Sequence, residues 1–187
     1  MTSSENKRKL LVIVDDTPEC RKSLRFACRR ASRTKGIVLM LRVIYPADFQ
    51  HWLAVEERMR QEAKDDAKDL LSRLCQEITD QWGIESESVI IEGKTDKVIM
   101  DLINENLDIK ILVLGSASGA DGPGPLVSQL VGRSSGIRIP VTVVPGDLTD
   151  EQIESMRNYK GFGYLELNRL LYNNTLKLNF NKLSNLS

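Results

Sequence analysis

Residues 10–19 read Leu-Leu-Val-Ile-Val-Asp-Asp-Thr-Pro-Glu, and the fold class follows from how that run begins and ends. Five consecutive aliphatic side chains, with no polar residue at alternate positions, suit a strand covered on both faces, as in the middle of a parallel sheet. The next five residues stop the strand and start a helix. Thr17 is the expected N-cap, Pro18 stands in the first turn, and Glu19 sits where the helix dipole favours an acid. Leu24, Cys28 and Ala31 follow at i, i+4, i+7 spacing until a stop near Lys35-Gly36, after which a second aliphatic run covers residues 37–44. Strand, capped helix and strand make a βαβ unit, right-handed almost without exception.

The same alternation continues along the chain. Tyr45-Pro46-Ala47-Asp48 breaks the second strand, and residues 49–82 carry Val55, Met59, Ala63, Ala67, Leu70, Leu74 and Ile78 on one face of a long helix whose other face is charged. Gly83 ends it. A short third strand at residues 88–91, a helix capped by Thr95-Asp96, and a fourth strand at 109–114 come next, and Pro140-Val141-Thr142-Val143-Val144-Pro145 is the fifth. A strand bracketed by prolines suits a sheet edge, where one row of backbone groups is free of the ladder. The expected architecture is a three-layer α/β/α domain with a doubly wound, mainly parallel five-stranded sheet over residues 1–148. From Thr149 onward asparagines crowd among scattered leucines without a sustained period, so residues 149–187 read as a loosely ordered appendage.

Composition narrows the function. At 187 residues the chain suits one well-packed domain of ordinary size. Lys plus Arg and Asp plus Glu are equal at 26 each, so there is no net field to draw it to nucleic acid or an anionic bilayer. Residues 1–9 are polar and no segment approaches the about twenty apolar residues of a membrane span, which sets the expectation of a cytoplasmic protein. Cys20, Cys28 and Cys75 are odd in number with no C-x-x-C pair, and read as reduced, partly buried thiols.

Ligands of open α/β folds bind where the C-terminal strand ends meet helix N-termini. Three segments converge on that crest: Asp15-Asp16-Thr17, Val43-Ile44-Tyr45, and the Gly- and Pro-rich stretch of residues 115–125. Glycines let backbone N–H groups close around a phosphate, and the helix expected from Leu126 to about Arg133 would add its positive end. A Gly/Pro-rich loop is equally a plain turn, and composition leaves both readings open. A P-loop is excluded, because Gly132-Arg133-Ser134 follows a helix and lacks the upstream glycine. Receiver-type phosphotransfer is rejected too, since the fourth strand ends in Gly115 without an aspartate and the fifth without a lysine. Asp16 as a capping aid and Asp15 as a loop-ordering residue remain the plain alternative for the acidic pair. The single histidine, His51, has no signature tying it to a nucleophile, Glu19 opposes a thiolate at Cys20, and no spacing fits zinc. Trp52 and Trp82, at the two ends of the long helix, read as packing residues.

Gly119, two residues, Gly122, nine residues, Gly132 matches the nucleotide loop of the universal stress protein family, and the chain resembles that family over roughly residues 9–146. The strand ending at Asp15, the strand ending at Val43, Glu92-Gly93 before the third helix and Leu114-Gly115 after the fourth strand fall in the same order. The resemblance implies the adenine nucleotide α-hydrolase-like fold and a site for ATP or a related adenine nucleotide, with or without Mg2+. In it Asp15 and the backbone near Val43 hold the adenosine, while Gly115, Gly119, Gly122, Gly132 and a following hydroxyl surround the phosphates. Here Arg133 stands where the family has Ser or Thr, with Ser134 one place later. The resemblance further implies a homodimer joined through the fifth-strand edge, from Val141 to Val144. It points to a stress-response regulator, not an enzyme, with a purely protein-binding member that takes no nucleotide as the alternative. No general base for attack on a phosphate is evident.

Overall fold

The computed structural model describes residues 7–15, 17–45, 53–119, 122–132 and 136–156. Asp16, His51, Trp52, Arg133, Ser134, Ser135 and the tail beyond Met156 lie outside them. The chain divides into units of Met1–Ile153 and Glu154–Ser187.

Five strands, β1 (Lys9–Ile13), β2 (Ile37–Ile44), β3 (Ser86–Glu92), β4 (Ile109–Ser116) and β5 (Val141–Pro145), form one sheet in the order β3-β2-β1-β4-β5. Every pairing is parallel. The helices are α1 (Pro18–Thr34), α2 (Leu53–Trp82), α3 (Thr95–Glu105), α4 (Pro125–Gly132) and α5 (Asp150–Ser155). Side chains leave a strand alternately to its two faces. Leu10, Val12, Val14, Val38, Met40 and Val113 therefore share one core with residues of α1 and α2. Leu11, Ile13, Leu39, Leu41, Leu112 and Leu114 share the other with α3 and α4. This double burial is why the central strands are aliphatic at most positions.

Several local details depart from expectation. Thr17 is the N-cap of α1, but it makes no side-chain cap bond. Its hydroxyl is held by Asp15 instead, Oγ1 to Oδ1 at 2.5 Å. α3 begins at Thr95 with Lys94 as N-cap, again without a side-chain cap, since a lysine side chain offers no acceptor, and the Thr95 hydroxyl donates to the Tyr45 phenol oxygen at 2.8 Å. α1 ends where expected, on Lys35 in the left-handed region, φ 52°, whereas β3 starts two residues before the expected residue 88, at Ser86.

The 30 residues of α2 span about 45 Å, against about 26 Å for an eight-residue strand. Only its C-terminal half lies on the sheet, so Ala67, Leu71, Leu74 and Ile78 are buried while Met59, expected on the apolar face, is 45% exposed. Trp82 packs on the core, with the Arg25 guanidinium 5.8 Å from its ring centroid.

α5 lies in the stretch read from sequence as loosely ordered. A reciprocal capping box starts it: Thr149 N–H donates to Gln152 Oε1 at 2.8 Å, and Gln152 N–H to Thr149 Oγ1 at 3.2 Å. Ile153 is fully buried, and Asp150 pairs with Lys22 at 2.9 Å and Arg25 at 3.2 Å on α1.

Candidate functional site

In the order β3-β2-β1-β4-β5 the winding reverses between β1 and β4, so a crevice opens where their C-terminal ends diverge. Asp15 leaves β1 at that point and is exposed. Its Oδ1 accepts from both the N–H of Thr17, at 3.0 Å, and the Thr17 hydroxyl. One carboxylate oxygen is thus committed to a local turn. Behind it, the Arg42 guanidinium donates to Val14 O at 3.2 Å, fixing the end of β1 to β2. A lone arginine in the aliphatic run of β2 is the sequence signal for this tie, and the reading of the sequence passed over it. Cys20, in the first turn of α1, is buried with its thiol aimed at Ile13 O, 3.7 Å away, and burial pushes its pKa up. The thiol is therefore no ready nucleophile. All three cysteines are unpaired.

On the β4 side the expected residues separate into two kinds. Gly115 belongs to β4 and faces α1. A Cβ there would lie 2.6 Å from Glu19 O and 2.9 Å from Glu19 Cβ, so this glycine makes room for the first turn of the helix. Gly146, after β5, does the same for the Glu19 side chain, with a Cβ position 2.5 Å from its Cγ. Gly122 and Gly124 differ. Both have positive φ, 90° and 91°, and a Cβ at either would meet nothing within 4 Å. Their backbone demands glycine while the space beside them stays open, as a loop that receives a ligand requires. Gly119 opens this loop, and its carbonyl accepts the Gly122 N–H at 3.3 Å. Gly132 closes α4, the helix the loop leads into. The loop is moored to the end of β5: Gly146 N–H donates to Ser116 O at 2.8 Å, and Asp147 N–H to Ser118 Oγ at 2.9 Å.

Val43, half-buried on β2, lines a cavity of about 1000 Å3 between the end of β2 and α2. Tyr45, Arg42, Asp66, Asp69 and Arg73 share its walls. Among the described residues no cluster of His, Cys, Asp and Glu is arranged to hold a metal ion, and no helix is long and apolar enough to cross a membrane.

Comparison with known proteins agrees with this architecture. The model of the universal stress protein family matches residues 7–145, and the chain belongs to that family. Universal stress protein UspA from Lactobacillus plantarum has a similar structure, with a TM-score of 0.64 at 20% identity over 73% of this chain and 97% of that one. The universal stress protein from Archaeoglobus fulgidus superposes with a TM-score of 0.55 at 18% identity, covering 73% of this chain and 93% of its own. The structure of the universal stress protein from Archaeoglobus fulgidus in complex with dAMP gives 0.52 at 20% identity, over 74% and 97%. No curated protein sequence matches significantly. The family match stops at Pro145, before α5 begins.

Proposed function

We propose that this protein is a stress-response regulator that binds an adenine nucleotide at the crest and changes its protein contacts with ligand state. The observation that carries the reading is the pair Gly122 and Gly124, held at positive φ beside open space and leading directly into α4. Backbone amides released by such a loop, together with a helix N-terminus, suit a phosphate chain. Asp15, with one carboxylate oxygen tied to Thr17, and the backbone at Val43 are the groups assigned to the adenosine. Gly119, Gly122, Gly132, Arg133 and Ser134 are assigned to the phosphates, with ATP or a related nucleotide as ligand, with or without Mg2+. Gly115 keeps a part only through the helix it admits. The dAMP complex of the Archaeoglobus fulgidus protein supports the ligand class.

In this reading residues 1–148 are the ligand-binding domain and 149–187 an appendage. The protein is cytoplasmic, is not an enzyme, and forms a homodimer in which the free backbone edge of β5, Val141 to Val144, pairs with its two-fold mate. A second reading, a dimeric protein-binding module without nucleotide, draws on one specific bond. The Gly122 N–H is already spent on Gly119 O, which leaves one donor fewer for a phosphate.

Thermal unfolding with and without Mg-ATP separates the two. Ligand at about 100 times its dissociation constant adds roughly 2.7 kcal/mol of stability, so the nucleotide reading expects a clear upward shift. It also expects the shift to vanish in Gly122→Val, whose branched side chain fills the open space. An unchanged midpoint at millimolar ATP favours the protein-binding module. A shift that survives Gly122→Val removes the loop from the site.

A further inference from the structure

Residues 146–153 tie the two walls of the crevice together. On the loop side, Gly146 N–H donates to Ser116 O at 2.8 Å and Asp147 N–H to Ser118 Oγ at 2.9 Å, one residue before Gly119. On the other side, Asp150 pairs with Lys22 and Arg25 of α1, the helix whose N-cap is Thr17. Between these points the half-buried Leu148 packs on the core shared by α1 and α2, Thr149 and Gln152 cap α5, and Ile153 is fully buried. The six residues of α5 fall well short of the about 12–15 that a free-standing helix needs in water, so the helix holds only while it is docked. The segment is thus a two-state element with one end on the ligand loop, and it lies beyond the family match at residues 7–145.

Ser118 sets the sign of the coupling. A hydroxyl has one proton to donate and two lone pairs to accept with. The Asp147 N–H takes one lone pair, whereas the Ser118 proton has no acceptor among the described residues and the side chain is exposed beside the loop. A phosphate oxygen is an acceptor that proton suits. A hydroxyl that donates becomes a better acceptor, because hydrogen bonds in a chain polarise one another. We infer that residues 146–153 form a clasp that ligand binding tightens: a nucleotide phosphate that takes the Ser118 proton strengthens the Ser118–Asp147 bond, and with it the docking of α5 on α1. The inference rests on the nucleotide reading above and gives that site a readout in the chain after β5.

The test follows amide hydrogen exchange of the full chain by NMR while Mg-ATP is titrated in. The amides of Gln152 and Ile153 are bonded to Thr149 and exchange when the clasp opens. ATP should slow them roughly fivefold or more, to a plateau once the site is full. At saturating ATP, Ser118→Ala should lose that slowing and Ser118→Thr, which keeps the hydroxyl, should retain it. Coupling is reciprocal, so opening the clasp must weaken ATP binding by the same factor. Ile153→Asp opens it, because an unpaired carboxylate cannot stay in that buried seat, and Asp150→Lys opens it by setting a cation against Lys22 and Arg25. Each variant should therefore lose ATP affinity by the factor seen in exchange. Several results overturn the clasp and leave the nucleotide reading standing: no slowing, slowing that climbs with ATP without a plateau and so marks unfolding of the whole domain, slowing that survives Ser118→Ala, or wild-type ATP affinity in both clasp variants. Wild-type protein whose exchange and melting midpoint both ignore ATP overturns the clasp and the nucleotide reading together.

Discussion

Replacing Gly115 by alanine tests whether this glycine serves a ligand or the packing of α1. The added Cβ falls 2.6 Å from the carbonyl oxygen and 2.8 Å from the carbonyl carbon of Glu19, backbone atoms that cannot step aside without moving the first turn of the helix. Overpacking of this kind costs about 1–3 kcal/mol, which for a unit of this size lowers the melting temperature by roughly 2–12 °C with no ligand present. Glu19 also supplies the control. At Gly146 the obstruction is chiefly the Glu19 Cγ, 2.5 Å away, with Ser116 O at 3.0 Å. Glu19→Ala removes that Cγ but keeps the backbone and Cβ that block Gly115. Calorimetry on the two double-mutant cycles should therefore show Glu19→Ala recovering a large part of the loss in Gly146→Ala and none of the loss in Gly115→Ala. A Gly115→Ala protein that melts within about 1 °C of wild type would refute the packing account. So would equal rescue of both glycine variants by Glu19→Ala.

Three further outcomes follow from local geometry. Lys35 holds φ 52° at the end of α1, a conformation that strains any residue with a Cβ, so Lys35→Gly should raise stability by about 0.5–1 kcal/mol in urea unfolding, and a loss there counts against the strain. The hydrogen bond from Lys22, helped by the nearby Arg25 charge, holds the Asp150 carboxyl below the usual carboxylate range. A depressed native pKa stabilises above the unfolded value of about 3.9 and is lost as pH falls through the native one, so the stability gap between wild type and Asp150→Asn should close below about pH 4. A gap that persists at lower pH removes the ion pairs as its cause. Burial drives the Cys28 thiol up to about 12 and also raises Cys20, whereas Cys75 is only half-buried. Iodoacetamide on the native protein at about pH 8 should label Cys75 well before the other two, read by peptide mass spectrometry, and early labelling of Cys28 would contradict its burial.

The parts of this protein that were legible in sequence are those where residue type alone decides the outcome. An unbroken aliphatic run such as Leu10 to Val14 satisfies only a strand buried on both faces, and such runs alternating with helices imply a parallel sheet. Prolines at both ends of β5 pointed to the edge it occupies. What escaped were features set by partners far along the chain. The apolar stripe of α2 continues past the sheet it packs on, so Met59 carries the pattern of a core residue without a core to enter. α5 was hidden by asparagine-rich sequence after it, although Thr149 and Gln152 already spelled its capping box.

The site glycines are the deepest case. Gly115 and Gly122 are the same letter in the same Gly- and Pro-rich stretch of sequence, and both fit a phosphate cradle by composition. One lacks a Cβ because Glu19 occupies the place where it would be, the other because its backbone turns through φ 90° beside empty space. Spacing along the chain cannot separate exclusion by a neighbour from exclusion by a dihedral angle. That distinction moves the candidate phosphate contacts away from the end of β4 and into the loop from Gly119 onward. It also makes Gly115 the residue whose substitution should report on stability, and Gly122 the one whose substitution should report on ligand.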